Sequence, residues 1–195
     1  MRIAKTAQHL HTKNKSIMKH PLDIFGYCPR CGKGGFAIND FKSKRCSGCG
    51  FTLYFNAIAA AVAVIVNERG ELLVSRRAKE PAKGTLDLPG GFIDSFETGE
   101  EGIAREVLEE SGLRVTEVKY LFSLPNTYLY SGFEEHTLDL FFLCRTAEGG
   151  IPAAADDVEE LLWIPIENIN PELFGLQSIR KGITILKERI KELTE

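Results

Sequence analysis

The chain has 195 residues, of which 44% are hydrophobic, so it is long enough to bury the core of one ordinary domain plus a small accessory module. This composition excludes a wholly disordered chain, which would combine low hydrophobicity with high net charge, whereas the net charge here is only −3. The longest apolar run, residues 57–66, has ten residues, about half of the ~20 that a membrane-spanning helix needs.

The charge is divided unevenly along the chain. Residues 1–50 carry ten basic and two acidic side chains, whereas residues 51–195 carry fourteen basic and twenty-five acidic ones. Such an asymmetry is typical of separate modules. We therefore predict a mobile tail at 1–25, a small metal-binding module at 26–55 and a main domain at 56–195. Because much of the basic excess lies in the tail, we do not expect nucleic acid as a partner.

The first module contains four of the five cysteines, as two Cys-x-x-Cys pairs. Cys28 and Cys31 form the first pair, Cys46 and Cys49 form the second, and fourteen residues separate them. No hydrophobic signal core precedes them, which favours a cytoplasmic protein, and there paired cysteines bind metal more often than they form disulfides. Four thiolates make a closed, structural type of zinc site. The sequence therefore predicts a zinc ribbon, and a nucleic-acid-binding ribbon stays open as an alternative.

The main domain has the pattern of an α/β or α+β protein. In chain order, the sequence predicts strands at 57–66 and 71–77, a helix from Thr98 to Gly112, strands at 115–124, 137–145 and 161–164, and a helix at 177–193. β-Branched and apolar runs indicate the strands. A capping box begins the first helix, a glycine ends it, and apolar residues at helical spacing indicate the second. This order predicts a sheet covered by helices.

Three carboxylates lie close together on one face of the first predicted helix. At 100° per residue, Glu106, Glu109 and Glu110 fill an arc of about 100°, and Arg105 is placed to pair with Glu109 four residues later. Like charges this close destabilise a helix, and a bound Mg²⁺ or Mn²⁺ would remove that cost, since both prefer oxygen ligands. From composition alone, a metal site and a solvated acidic face stay equally open.

Residues 91–113 resemble the Nudix box, Gly-x5-Glu-x7-Arg-Glu-hydrophobic-x-Glu-Glu-x-Gly-hydrophobic, and every fixed position matches. The motif itself covers 23 contiguous residues, and the wider resemblance to the family extends from about Ala57 to the C-terminus. It implies the Nudix α/β/α sandwich with a mixed sheet. It also implies a Mg²⁺- or Mn²⁺-dependent pyrophosphatase that hydrolyses a nucleoside diphosphate linked to another moiety, with a small nucleotide as substrate and no membrane partner.

The resemblance also implies a role for each residue of the box. Glu106 and Glu110 resemble the main Mg²⁺ ligands, and Glu109 resembles a further ligand or the general base. Gly91 corresponds to the residue that offers its backbone carbonyl to the ion. The two remaining positions are Glu97, similar to an auxiliary acidic group, and Arg105, similar to the orienting arginine of the family.

Outside the box, four positions are candidate substrate contacts. Arg76 and Arg77 end a predicted strand beside the site, and because side chains alternate along a strand, at most one faces inward. An acid just before the last strand, Glu159 or Glu160, is a candidate base or extra ligand, with a solvated loop acid as the equal alternative. Tyr128 is a candidate for stacking on a base, with packing within a strand as the alternative.

The ribbon ahead of the box is similar to that of the NADH pyrophosphatase group of the family. That group carries Ser-Gln-Pro-Trp-Pro-Phe-Pro after the box, whereas residues 123–130 here read Ser-Leu-Pro-Asn-Thr-Tyr-Leu-Tyr. The substrate therefore stays open among NADH, ADP-ribose, FAD and related dinucleotides or nucleotide sugars. Resemblance alone suggests a homodimer. The alternative function is a non-catalytic ligand sensor or a nucleic-acid-binding regulator, and the intact box glutamates favour the enzyme.

Overall fold

The structure, a computed structural model, describes residues 20–130 and 132–194. The chain divides into two compact units, Met1–Asn56 and Ala57–Glu195. As far as residue 19, the tail predicted at 1–25 lies outside the described residues. Its last residues pack within the first unit, because Leu22 is buried and Nζ of Lys44 donates to the carbonyl of Phe25 at 2.6 Å. The packed part of this unit therefore begins before residue 26.

The described part of the first unit is a small antiparallel ribbon. Its strands are β1 (Phe36–Asp40), β2 (Ser43–Cys46) and β3 (Thr52–Tyr54), in the order β1-β2-β3. A small core packs between the sheet and the two cysteine loops, and its fully buried members are Cys28, Phe36 and Cys46. A core of this size is too small to stabilise the first unit by itself. A metal ion bound to the cysteines would add the missing stability.

The second unit contains the remaining elements of the described chain. Its strands and helices are β4 (Ile58–Val64), β5 (Glu71–Arg77), β6 (Leu86–Asp87), β7 (Gly90–Phe92), α1 (Gly99–Ser111), β8 (Val115–Tyr130), β9 (Phe133–Thr146), β10 (Val158–Pro165) and α2 (Gln177–Thr194). Two short 3₁₀ turns, Ile166–Asn168 and Pro171–Leu173, precede α2. No helix of the described residues is long and apolar enough to cross a membrane.

Two sheets organise this unit. A four-stranded sheet has the order β7-β4-β9-β8, in which β4 runs parallel to β9 and the other neighbours are antiparallel. A three-stranded antiparallel sheet has the order β10-β5-β6. β7 lies at one edge of the mixed sheet and precedes α1 in the chain. Because Gly91 lies in β7, the Nudix box begins at this edge of the sheet.

The two helices cover opposite faces of the mixed sheet. Along β4, Ala61 and Ala63 pack with Ile103 and Val107 of α1. The alternating residues, including Val62, pack instead with apolar side chains of α2. Since successive residues of a strand point to opposite faces, the sheet lies between the helices, and the α/β/α arrangement confirms the predicted fold class.

One strand is much longer than the sequence predicts. β8 was expected to end at residue 124 and instead runs to Tyr130, paired with β9 along its whole length. Pro125 lies inside it. A proline cannot donate to a ladder and is tolerated on an edge strand, and β8 is the edge of the mixed sheet. Tyr128 therefore belongs to a strand rather than to a loop.

Candidate active site

The first two residues of β7, Gly90 and Gly91, lie against the glutamates of α1. Gly90 has a φ of 149°, and a Cβ there would collide with the carbonyl oxygen of Ala61 on β4. Its backbone N–H donates to Oε2 of Glu110 at 2.9 Å. At Gly91, a Cβ would lie 2.6 Å from the carboxyl carbon of Glu106. Glycine is required at position 90 because a side chain would collide with the backbone of β4, whereas at position 91 a side chain would displace the carboxylate of Glu106.

Helix α1 is fixed at both ends, which sets the direction of its glutamates. Oγ1 of Thr98 accepts from the backbone N–H of Glu101 at 3.1 Å, and Oε2 of Glu101 accepts from the backbone N–H of Thr98 at 2.8 Å. This is the predicted capping box. Gly112 ends the helix in the left-handed conformation, with a φ of 69°. Together with the buried Ile103 and Val107, these caps leave the acidic arc facing away from the core.

Arg105 donates hydrogen bonds to three of the four fixed glutamates of the box, all but Glu110. Its Nε and Nη2 donate to the two carboxylate oxygens of Glu97 at 2.8 and 3.0 Å. Its Nη1 donates to Glu106 at 2.8 Å and to Glu109 at 3.0 Å. A further bond, from Nη2 to the carbonyl of Phe92 at 3.0 Å, ties the guanidinium to β7. These bonds raise the pKa of Arg105, those to Glu97 most, and lower the pKa of Glu97.

Two carboxylates of the arc are held in partly buried positions. Glu110 is 8% exposed, and burial raises its pKa to about 8, although the N–H of Gly90 acts in the opposite direction. Burial also raises the pKa of Glu106, against the opposing effect of Arg105. A buried carboxylate without a cation is costly, since its charged form loses hydration. A cation bound beside Glu106 and Glu110 would offset this cost.

These side chains line a cleft of about 560 Å³. The cleft is lined on the acidic side by Gly91, Glu106, Glu109 and Glu110, and by Asp156 and Asp157 from the loop before β10. Its other lining side chains include Arg77, Lys79, Asp87, Phe92 and Tyr128. The rings of Phe92 and Tyr128 are 6.0 Å apart at an angle of 51°. The volume suits a ligand of nucleotide size.

The structure separates the two candidate arginines of β5. Arg77 lines the cleft, where its Nη1 donates to Oδ2 of Asp87 at 2.6 Å. Arg76 points to the other side of the strand, where its Nε donates to Oε2 of Glu160 at 3.1 Å. Glu160, the candidate contact at the last strand, lies inside β10 and pairs with Arg76, and it is not among the residues that line the cleft.

The acids that reach the cleft lie just upstream of the predicted position. The last strand begins at Val158 rather than at residue 161, because it pairs with β5 along its length, so Glu159 and Glu160 are strand residues rather than loop acids. Asp156 and Asp157 precede that strand, and Asp157 pairs with Lys79. Asp87 was not predicted from the sequence either. Two sequence signals could have identified these residues. Asp156 and Asp157 are adjacent acids just before a strand, and Asp87 is an acid two residues before Pro89-Gly90-Gly91.

Within the described residues, one group has ligand atoms close enough together to hold a metal ion, and it is the four cysteines. Their sulfur atoms all lie within 4.8 Å of one another. The glutamates of α1 do not converge in this way, because Arg105 binds two of them, Glu106 and Glu109. Their oxygen donors, the burial of Glu106 and Glu110 and the close approach of Gly91 nevertheless fit a hard divalent cation.

The cysteine loops have the geometry of metal-binding knuckles. The N–H of Gly32 donates to the carbonyl of Cys28 at 2.9 Å, and that of Gly50 donates to Cys46 at 3.0 Å. Both glycines are left-handed, with φ of 69° and 74°. Backbone N–H groups, that of Cys49 most strongly, lower the pKa of the Cys46 thiol to about 7. Four soft sulfur donors with thiolate-stabilising N–H groups fit a structural zinc ion.

Comparisons with known proteins identify the family to which the second unit belongs. A family model for the NUDIX domain matches residues 56–184. The chain is 27% identical over 152 residues to the NAD-capped RNA hydrolase NudC of Vibrio cholerae, covering 78% of this chain and 54% of that protein. It is 32% identical over 164 residues to the ADP-ribose pyrophosphatase of Methanocaldococcus jannaschii, covering 82% of this chain and 87% of that protein. The chain thus spans about half the length of the first relative and most of the second.

A solved structure shares the fold. A NUDIX hydrolase from Nitrosomonas europaea superposes with a TM-score of 0.64, at 19% identity, and covers 86% of this chain and 93% of that one. Because the family model covers most of the chain, and the box residues meet at the cleft in the same unit, the chain belongs to the Nudix hydrolase family.

Proposed function

We propose that this protein is a Mg²⁺- or Mn²⁺-dependent pyrophosphatase that hydrolyses a nucleoside diphosphate linked to another moiety. One observation carries the proposal. Glu110 is buried beside Glu106 at the wall of an open cleft, and burial raises its pKa to about 8. A cation bound to this pair would offset the cost of burying the two carboxylates in their charged form.

The cation would be held by Glu106 and Glu110, with the carbonyl of Gly91 and, from the exposed side, Glu109. When bound, it would polarise the pyrophosphate and lower the pKa of a bound water. Arg105 fixes the carboxylates of Glu106 and Glu109 by hydrogen bonds. Glu97 acts on the site indirectly, since its two bonds hold the guanidinium in place.

In the proposed reaction, Glu109 accepts a proton from water as the water oxygen attacks phosphorus. The bridging P–O bond breaks, and the bridging oxygen leaves with the departing phosphate, so both products carry a phosphate. Glu109 suits this role because it lines the cleft and its side chain is 49% exposed, which lets water reach it. Asp157, another acid that lines the cleft, is proposed as a further ligand of the cation.

Contacts to the substrate come from the other side chains that line the cleft. Arg77 is proposed to bind a polar oxygen of the substrate, as arginine commonly does through its planar donors. Tyr128 packs partly against the core and partly against Phe92, and it also faces the cleft. We propose that these two rings form the apolar surface for the base or for the second moiety of the substrate.

The ribbon is proposed to hold one structural zinc ion, bound by the four cysteines that lie within ligand distance of each other. Its role is to stabilise a unit whose core is small. Metal analysis of protein purified without chelators should find zinc. Recovery of a folded, zinc-free ribbon would contradict this assignment.

ADP-ribose is the first substrate to test. The M. jannaschii relative named for it matches this chain over 87% of its own length, whereas the NudC relative is nearly twice as long as the matched part. The experiment is a Mg²⁺-supplemented panel of ADP-ribose, NADH, FAD, nucleotide sugars, diadenosine polyphosphates and nucleoside triphosphates, with products identified. We expect turnover of at least one diphosphate-linked compound. Tight binding without turnover of any would indicate a ligand sensor instead.

A further inference from the structure

Asp87 is a buried carboxylate in the wall of the cleft that the reaction outlined above does not use. It ends the two-residue strand β6, and its side chain is only 9% exposed. Oδ1 accepts from the backbone N–H of Leu88 at 2.8 Å, and Oδ2 accepts from Nη1 of Arg77 at 2.6 Å. Each carboxylate oxygen therefore has a fixed direction, one toward the backbone and one toward the guanidinium.

Arg77 is held from a second side as well. Its Nε donates to the carbonyl of Pro81 at 2.7 Å, so the guanidinium is clamped between the loop after β5 and the carboxylate of β6. Its side chain remains 20% exposed and lines the cleft. An arginine has four rotatable side-chain bonds, and fixing two of its nitrogens removes most of that freedom before a ligand arrives.

Asp87 is also the dominant charged partner of this guanidinium. Burial acts to lower the pKa of Arg77, and the charge and hydrogen bond of Asp87 outweigh that effect and raise it. The ion pair, at 2.6 Å, therefore joins Arg77 to the wall of the cleft formed by β6.

We propose that Asp87 is a positioning residue, which holds the guanidinium of Arg77 in the orientation that binds the substrate. This inference rests on the proposed function, because it concerns the substrate contact of that same cleft. Asp87 also neutralises Arg77, so the contact made by Arg77 is a directed hydrogen bond rather than a net charge. Such a contact binds ground state and transition state about equally and acts mainly on KM.

The test is a double-mutant cycle on the full chain with the best substrate of the panel. Asp87→Asn keeps an oxygen for the N–H of Leu88 and removes the charge that orients Arg77. We expect it to raise KM about tenfold, with kcat within about threefold of wild type. Arg77→Ala should raise KM at least as much. The double variant should be no worse than Arg77→Ala alone, because Asp87 acts through Arg77.

Arg76→Ala is the matched control, since this neighbour points away from the cleft and pairs with Glu160. It should leave KM unchanged. A purely structural Asp87 would instead lower the melting temperature and the active fraction without moving KM, and its effect would add to that of Arg77→Ala. Either result overturns the proposal.

If Asp87→Asn fails to fold, Asp87→Glu keeps the charge and shifts the carboxylate by one methylene. The same rise in KM is expected there, and an unchanged KM overturns the proposal. Wild-type protein that turns over no compound of the panel contradicts the proposed function itself. Active wild-type protein whose KM does not respond to Asp87 contradicts only this inference.

Discussion

The backbone N–H of Gly90 donates to Oε2 of Glu110 at 2.9 Å, and so joins the start of β7 to the last turn of α1. The next residue, Gly91, faces the carboxylate of Glu106, since a Cβ there would lie 2.6 Å from the carboxyl carbon. Two consecutive glycines thus each adjoin one glutamate. This arrangement explains how Gly91 and the glutamates Glu106 and Glu110, fifteen and nineteen residues later in the sequence, form one site.

Replacing Glu110 with glutamine should abolish most of the activity. The amide that replaces the carboxylate retains an oxygen that can accept from Gly90, so the fold should persist, but it lacks the charge that a divalent cation requires. We expect kcat to fall by at least about 100-fold, measured with saturating Mg²⁺. Glu100→Gln, on the exposed first turn of the same helix, is the matched control and should retain activity. Equal activities of both variants would contradict the role of Glu110.

In the absence of metal, the wild type and Glu110→Gln should differ in how their stability depends on pH. In the folded protein the pKa of Glu110 is raised from 4.5 to about 8, so the protonated form is favoured by folding. Its stabilising contribution is full below the unfolded pKa and is lost as the pH rises towards 8. In EDTA, the melting temperature of the wild type should therefore fall relative to that of Glu110→Gln between about pH 5 and pH 8.

Mg²⁺ should reverse this loss at the upper end of the range, because it favours the ionised carboxylate of the wild type and binds the variant poorly. Other titrating groups are shared by the two proteins and cancel in the comparison. Parallel melting curves across the whole range, with no response to Mg²⁺, would show that Glu110 is not buried in an ionisable, cation-binding position.

Replacing Gly91 with alanine should damage the site without unfolding the domain. The new Cβ would lie 2.6 Å from the carboxyl carbon of Glu106, so that side chain has to move. We expect kcat to fall about tenfold or more, with a smaller change in melting temperature than a core substitution causes. Gly34→Ala is the control, because a Cβ there meets nothing within 4 Å. Full activity of Gly91→Ala would argue against Glu106 as a ligand.

The loop before β10 provides a direct comparison of two acids. Asp157 lines the cleft, whereas Glu160 pairs with Arg76 on the other side of the sheet. Asp157→Asn should lower kcat about tenfold, and Glu160→Gln should stay within about twofold of wild type. Stability should change little in either case, since both ion pairs are largely exposed. The reverse order of effects would return the role to the residue favoured by the sequence pattern.

Local signals in the sequence were enough to predict the helix of the box and the grouping of the four cysteines. Thr98, Glu101 and Gly112 specify the ends of α1 by short-range hydrogen bonds, which depend on residues within about one turn of each other. The order of strands and helices predicted a sheet covered by helices, and the resemblance of the box implied the α/β/α layers.

Features that depend on distant pairing were not predictable in the same way. β8 continues past Pro125 because β9 offers a partner along its whole length, and β10 begins at Val158 because β5 does. That shift moved the acid of the cleft from Glu160 to Asp157. The ion pair between Arg77 and Asp87 likewise joins two strands, β5 and β6, that are separated by a loop. No periodic pattern in the sequence predicts it.

The most direct test of the central claim is hydrolysis of ADP-ribose, or of the best compound in the panel, in ¹⁸O-labelled water with Mg²⁺, followed by mass spectrometry of the products. Attack of water on phosphorus predicts AMP and ribose 5-phosphate, with one labelled oxygen on the phosphate of one product. Cleavage at a carbon–oxygen bond, which would release ADP and ribose, or the absence of turnover across the whole panel, would contradict the account.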